Sequence, residues 1–261
     1  MNKVAQIIYL TFTLSTSAFA QDYERGLIAV KGNDYQSAIL NFKPLAEKGH
    51  AKAQFQLGHL YYDLYYYGHK GASRSGRLAA KWYTKAAVQG NADAQFYLAK
   101  LYESGTGLPQ DKTEASIWWR RAAEQGHVLA QISIAQWCID PLGTQEDYEE
   151  GAKWYRKAAV QGSGKAQFQL AELYQRGRGV AKNKSMAHMW YNISNATGES
   201  SDLRRVSAKE RDRIAEKMTE TELVTVQRMA TKCMLSGYND CGLWNLGVIA
   251  QRAQQVRVIS E

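Results

Sequence analysis

One interval governs this chain: Trp82, Trp118, Trp154 and Trp190 follow one another at steps of 36 residues. An aromatic residue comes next in each case, at Tyr83, Trp119, Tyr155 and Tyr191. Glycines keep the same register at Gly90, Gly126, Gly162 and Gly198. Ala-Gln pairs open the units at Ala53-Gln54, Ala94-Gln95, Ala130-Gln131 and Ala166-Gln167. Self-similarity of this period signals a repeat architecture, in which one unit cannot cover its own apolar face and is stable only against its neighbours.

Within a unit, Ala94, Leu98, Ala99, Leu101 and Tyr102 fall on one face of a helix. A glycine turn follows, Gly105-Thr106-Gly107 or Gly177-Arg178-Gly179. A second amphipathic segment, Glu114 to Ala123, then ends at Glu124-Gln125-Gly126, where glycine can take the left-handed conformation that stops a helix. Each unit therefore reads helix, turn, helix, turn. Small residues at Gly58, Ala99, Ala135 and Ala171 allow the two helices of a hairpin to approach closely, while Trp and Tyr fill the space between hairpins. The aromatic column is expected to be core rather than a ligand cage. Only 3 of the 261 residues are Pro, which suits a chain of helices with few breakers.

The run Ala51-Lys52-Ala53-Gln54-Phe55-Gln56-Leu57-Gly58, followed by Ala79-Ala80-Lys81-Trp82-Tyr83-Thr84-Lys85-Ala86-Ala87-Val88-Gln89-Gly90, resembles the Sel-1-like repeat family, relatives of tetratricopeptide repeats. The resemblance extends over residues 50–198. Residues 21–49 resemble a preceding cap repeat, with Gly32-Asn33-Asp34-Tyr35 as its turn and Phe42-Lys43-Pro44-Leu45-Ala46 in its second helix. It implies an all-α fold, a right-handed α/α superhelical solenoid of helical hairpins at 50–90, 91–126, 127–162 and 163–198, with a helical C-terminal cap at 199–261. It also implies an adaptor that holds another protein on its concave face and needs no cofactor or metal. With Ala53, Leu57, Gly58 and Tyr61 taken as buried, the outward stripe of the first helix is Lys52, Gln56, His59 and Asp63. The matching stripes are Asp93, Tyr97 and Lys100; Ser133, Gln136 and Asp140; and Lys165, Gln169, Glu172 and Arg176.

Three places depart from the period. The first repeat is longer, 41 residues from Gly49 to Gly90, with the excess at Tyr65-Tyr66-Tyr67-Gly68-His69-Lys70-Gly71. Tyr66 and Tyr67 either project onto the binding face or pack down on the hairpin. The third repeat has Ile139-Asp140-Pro141-Leu142-Gly143 in place of the glycine turn and Cys138 in place of a tyrosine, which implies a buried thiol. After Gly198 the period is lost: Glu199 to Ser207 reads as a polar linker, and helical patterns resume over 208–218, 220–235 and 243–256. Thr219 and Glu222 have capping-box spacing. Cys233 and Cys241 have the spacing of hairpin-stapling disulfides in the cysteine-rich branch of the family. The resemblance therefore implies a bridge, worth about 2 to 3 kcal/mol by loop closure, with two separate thiols as the alternative.

The first twenty residues read as a secretory signal peptide: Lys3, a weakly apolar Val4 to Ser17, and Ala18-Phe19-Ala20 as a cleavage site after Ala20. The expected location is periplasmic or secreted, with no membrane span after cleavage and no lipobox cysteine. The net charge of +8 is carried by charges of both signs with no basic run, so a nucleic-acid partner is not expected. Acidic partners or anionic envelope surfaces suit it better.

Catalysis needs reactive groups brought together. His50, His59, His69, His127 and His188 have no ligand spacing with each other or with cysteine. His50 and His127 instead share one helix-start position. No phosphate loop and no hydrolase serine motif is present. Some members of the cysteine-rich branch are β-lactam-hydrolysing, but this chain lacks that branch's cysteine pair in each repeat. The expectation is therefore a binding scaffold and not an enzyme. The alternative is an envelope enzyme acting on peptidoglycan or β-lactams.

Overall fold

A computed structural model describes residues 20–67, 72–139 and 144–241. These form twelve helices, and no strand occurs among the described residues. They are α1 (residues 20–31), α2 (Tyr35–Glu47), α3 (Ala51–Tyr66), α4 (Ala72–Val88), α5 (Ala92–Ser104), α6 (Lys112–Glu124), α7 (Val128–Cys138), α8 (Gln145–Ala159), α9 (Gly164–Arg176), α10 (Lys184–Thr197), α11 (Ser201–Ala215) and α12 (Glu220–Leu235). The chain divides into two compact units, Met1–Ala130 and Gln131–Glu261. Residues 1–19 of the expected signal peptide, residues 68–71 and 140–143, and the helix expected at 243–256 lie outside the described residues, while Ala20 is the first residue of α1.

The joint between hairpins explains the 36-residue glycine. Gly49, Gly90, Gly126 and Gly162 have φ of +94°, +89°, +91° and +90°, a region open to glycine at little cost. The next residue donates its N–H back into the finished helix: His50 to Leu45 O, Asn91 to Ala86 O, His127 to Ala122 O and Ser163 to Ala158 O. That same residue caps the following helix. His50 Nδ1 accepts from Ala53 N, Asn91 Oδ1 from Ala94 N, His127 Nδ1 from Ala130 N and Ser163 Oγ from Ala166 N. One residue thus closes one helix and opens the next, satisfying groups that helix ends leave orphaned.

The Ala-Gln pair has a matching role. Gln54, Gln95 and Gln167 are buried and donate to the carbonyls of Ala46, Ala87 and Ala159 at the end of the preceding helix. The amide oxygens accept from the end of the following helix, Gln89 onto Gln54, Gln125 onto Gln95 and Thr197 onto Gln167. A buried amide with both ends paired fixes the register of three helices, since slipping any one strands a polar group.

In the N-terminal unit α2 packs on α3, α3 on α4, α4 on α5 and α5 on α6. Phe42, Leu45, Leu57, Leu60 and Trp82 are buried together, flanked by Tyr23 and Leu27. Gly58 is where α3 meets α4: a Cβ there would lie 2.8 Å from Tyr83 Cδ1. The turn glycine Gly107 rests directly on the backbone of Gly76 in α4.

In the C-terminal unit α9 packs on α8 and α10, and α10 on α11 and α12. Gly179 rests on the Tyr148 backbone of α8 as Gly107 does on α4. Cys138 is buried, as its register implies. Thr219 and Glu222 form the capping box that starts α12, and Cys233 is bridged to Cys241 with Cα atoms 4.7 Å apart.

Two expectations fail here. The stretch 199–207 is not a linker: α11 begins at Ser201, capped by Ser200 accepting from Leu203 N. Its polarity hid it, because its anchor to the core is a fully buried hydroxyl pair, Ser194 and Ser207 at 2.9 Å, and not an apolar stripe. Gly198 also departs from its sister glycines, with φ of −56° and its carbonyl accepting from Arg204. The hairpin joint is replaced there by Glu199, whose carboxylate accepts from Gly164 N and Ser163 Oγ.

Candidate interaction face

In the N-terminal unit the first helices of two hairpins, α3 and α5, share an aromatic cluster. His59 Nδ1 lies 3.0 Å from the Tyr83 hydroxyl. The Tyr83 ring is parallel to Tyr97, with centroids 5.4 Å apart and planes at 12°. Tyr97 meets His59 and Tyr62 edge-on at 5.0 and 5.9 Å, and Phe55 lies 6.0 Å from both Tyr83 and Tyr97. Tyr62 stacks on Tyr66, which meets Tyr67 edge-on at 5.7 Å. Tyr66 and Tyr67 are 71% and 70% exposed, so the cluster is packed at its base and open at its outer end. Lys100 places its ammonium 5.8 Å from the Tyr97 ring. Burial pushes the hydroxyls of Tyr62, Tyr83 and Tyr97 further up, so they stay neutral donors.

Of the residues expected to face outward here, Lys52 and Asp93 are exposed, while Gln56, His59, Asp63, Tyr97 and Lys100 are half-buried. Tyr61, expected in the core, is also half-buried. Both alternatives for the tyrosine run occur: Tyr65 lies against α4, where a Cβ on Gly76 would be 3.2 Å from its ring, while Tyr66 and Tyr67 project. Tyr97 and His59 are not simple surface residues, because rings from α3 and α5 support one another there. Phe55 and Tyr62 belong to the same cluster and were not singled out by the sequence. The spacing of Phe55, His59, Tyr62 and Tyr66 at i, i+4, i+7 and i+11 is the signal that could have found them.

In the C-terminal unit the expected residues make a polar strip. Gln169 donates to Glu172 at 3.1 Å, and Arg176 donates to the same carboxylate at 2.9 Å. Beside them the Tyr191 hydroxyl donates to Gln175 at 2.9 Å and the Arg156 guanidinium donates to the Tyr174 hydroxyl. Ser133 is half-buried, and Lys165, Gln136 and Arg176 are exposed. Asp140 lies outside the described residues. Trp137 is an addition: it stands where Leu60, Leu101 and Leu173 are buried in the other repeats, yet it is 46% exposed.

His50, His127 and His188 serve the scaffold. His50 and His127 are helix caps, and His127 also stacks on Phe96 with Nε2 3.3 Å from Asp93. His188 is buried. Burial pushes His127 and His188 below the usual histidine range. Among the described residues no group of three or more His, Cys, Asp or Glu could hold a metal ion, and no helix is long and apolar enough to cross a membrane.

The Sel1 repeat family model matches residues 20–50, 51–91, 92–127, 128–163 and 164–194. Human protein sel-1 homolog 2 is 36% identical over 98 residues, 37% of this chain and 14% of that protein; the rat homolog matches to the same extent. The chain thus spans about one seventh of the length of these curated relatives. A Sel1 repeat protein from Oxalobacter formigenes is 30% identical, with a TM-score of 0.60 over 77% of this chain and 87% of that one. A protective antigen of uropathogenic Escherichia coli, described as displaying an SLR fold, has a TM-score of 0.62 at 24% identity, over 86% of this chain and 56% of that one. That second likeness concerns the fold alone.

Proposed function

This chain belongs to the Sel1 repeat family, and we propose that it is an exported protein-interaction scaffold that takes its partner on the first helices of its hairpins. The observation that carries this reading is the cluster on α3 and α5. Rings locked against one another at the base, with Tyr66 and Tyr67 exposed at the end, form a surface already ordered before binding. Rigid amphipathic side chains give up little entropy on binding and are favoured at interfaces. Repeat folds allow this division of labour, because cap, clamp and core positions hold the frame while outward positions differ between units. Gln56, Tyr97, Ser133 and Gln169 occupy one such position, and His59, Lys100, Gln136 and Glu172 another.

Export is supported by the bridge between Cys233 and Cys241, since such bonds persist in oxidising compartments. The leader-like first twenty residues agree, and together they favour a periplasmic or secreted protein. The test is a crosslinking pull-down from the cell envelope with the full chain and with Y66A/Y67A. A protein captured by the native chain and lost with the double variant, at unchanged thermal stability, supports the reading. Capture that ignores the variant, or purified protein that consumes muropeptides or a β-lactam, overturns it.

A further inference from the structure

Between Gly151 and Gly198 the sequence has eight Lys or Arg and a single acid, Glu172. They form no basic run in the sequence, because they are dispersed over three helices and a turn. The fold of the C-terminal unit gathers several of them along one groove. It is a cleft of about 560 Å³ between α8 and the turn after α9, lined on its apolar side by Ala152, Val160, Gly179 and Val180. Lys153, Arg156 and Lys157 stand along its α8 wall, with Glu149 the one carboxylate at its rim. A second cleft, of about 300 Å³, is lined by Lys182, Lys184, Arg213 and Lys217. Lys182 lies two residues beyond Val180 in the sequence and lines that second cleft.

We propose that this groove is a second interaction surface, separate from the aromatic cluster, and that it takes an acidic peptide segment carrying apolar side chains. The cations are held in place: Lys157 sits 4.0 Å from the Trp154 ring centre, and Arg156 lies over the Tyr174 ring while donating to its hydroxyl. Spaced at i, i+3 and i+4 on one helix, Lys153, Arg156 and Lys157 present a row of positive charge beside apolar residues. That pairing selects a ligand alternating carboxylates with small apolar groups, and its steering is electrostatic. A bilayer surface would need large apolar anchors beside the cations, whereas the apolar residues that line this cleft are the small Ala152, Val160, Gly179 and Val180. This inference does not depend on what the α3 and α5 cluster binds.

The test is fluorescence anisotropy of the full chain with a short fluorescein-labelled peptide alternating Glu and Leu. K153E/K157E is compared with K31E/K43E, an equal charge change on exposed lysines of the N-terminal unit. Saturable binding is expected, weakened about tenfold or more by K153E/K157E and essentially unchanged by K31E/K43E. Should K153E/K157E disturb folding by circular dichroism, K153E alone, at an exposed position of the same wall, is expected to weaken binding in its place. Equal weakening by both pairs would show mere net charge and overturn the proposal. So would the absence of saturable binding, or a preference for phosphatidylglycerol vesicles or single-stranded DNA over the peptide through the same lysines.

Discussion

The same repeat positions build two different surfaces. On α3 and α5 they carry His59, Tyr62 and Tyr97, rings that meet Tyr83 and each other. On α9 the matching residues are Glu172, Gln175 and Gln169: Gln169 donates to Glu172, and Gln175 accepts from the Tyr191 hydroxyl. The frame beneath is common to both: a left-handed glycine, a dual-purpose cap residue and a clamped glutamine. Frame and outward surface are therefore written at separate positions of the repeat, and the aromatic surface is expected to contribute more to stability than the polar one.

Substitutions in the shared frame should have the largest effect and the same effect in both units. Gly107→Ala and Gly179→Ala each place a Cβ against backbone, Gly76 in one case and Tyr148 in the other, at a positive φ. Each should cost about 3 kcal/mol or more, since neither strain nor clash can relax cheaply. A large disparity in chemical denaturation would show that the two turns are not equivalent. The contrast between surfaces comes next. Tyr97→Ala should cost about 2 kcal/mol through lost ring contacts, whereas Gln169→Ala, at the matching position, should stay within about 0.5 kcal/mol. Comparable losses would break the comparison.

Removing a single hydroxyl sharpens it further. Tyr83→Phe deletes the bond to His59 and should cost about 1 kcal/mol. Tyr155 stands at the same place in the C-terminal unit, but its buried hydroxyl has no partner among the described residues. Tyr155→Phe should therefore be neutral or stabilising. The smallest effect is a pH dependence. Burial lowers the folded pKa of His127 below its usual value, so the unfolded chain takes up a proton first. Its contribution to stability is full above about pH 6.5, the unfolded value, and is lost as pH falls through the folded one. His127→Asn, which installs the cap residue found at Asn91, should flatten that decline in melts taken across the acidic range.

Much of this was legible in the sequence because the repeat registers itself. Trp and Gly at a fixed interval give the hairpins, and His50 and His127 already marked the helix-start position that Asn91 and Ser163 share. The Thr219 and Glu222 pair gave the start of α12 by local chemistry alone. The reading failed where stability comes from polar contacts that leave no periodic trace. The first two turns of α11, Ser201 to Ser207, read as part of a linker because their one buried residue is Ser207, paired with Ser194, and the partnership of Tyr97 with Tyr83 was hidden because it joins neighbouring hairpins. The outward stripe follows from helical spacing opposite the buried positions, which finds Lys52 and Arg176 exposed but leaves out Phe55 and Tyr62, half-buried rings beside it.

The most direct measurement is site-specific photocrosslinking in the cell envelope, with a photoreactive residue at Tyr66 in one version of the chain and at Lys112, the first residue of α6, in another. A single protein crosslinked from position 66 and absent from position 112 is the expected result. Crosslinks of equal yield from both positions, or none from position 66 while position 112 captures a partner, would contradict a binding face on α3 and α5.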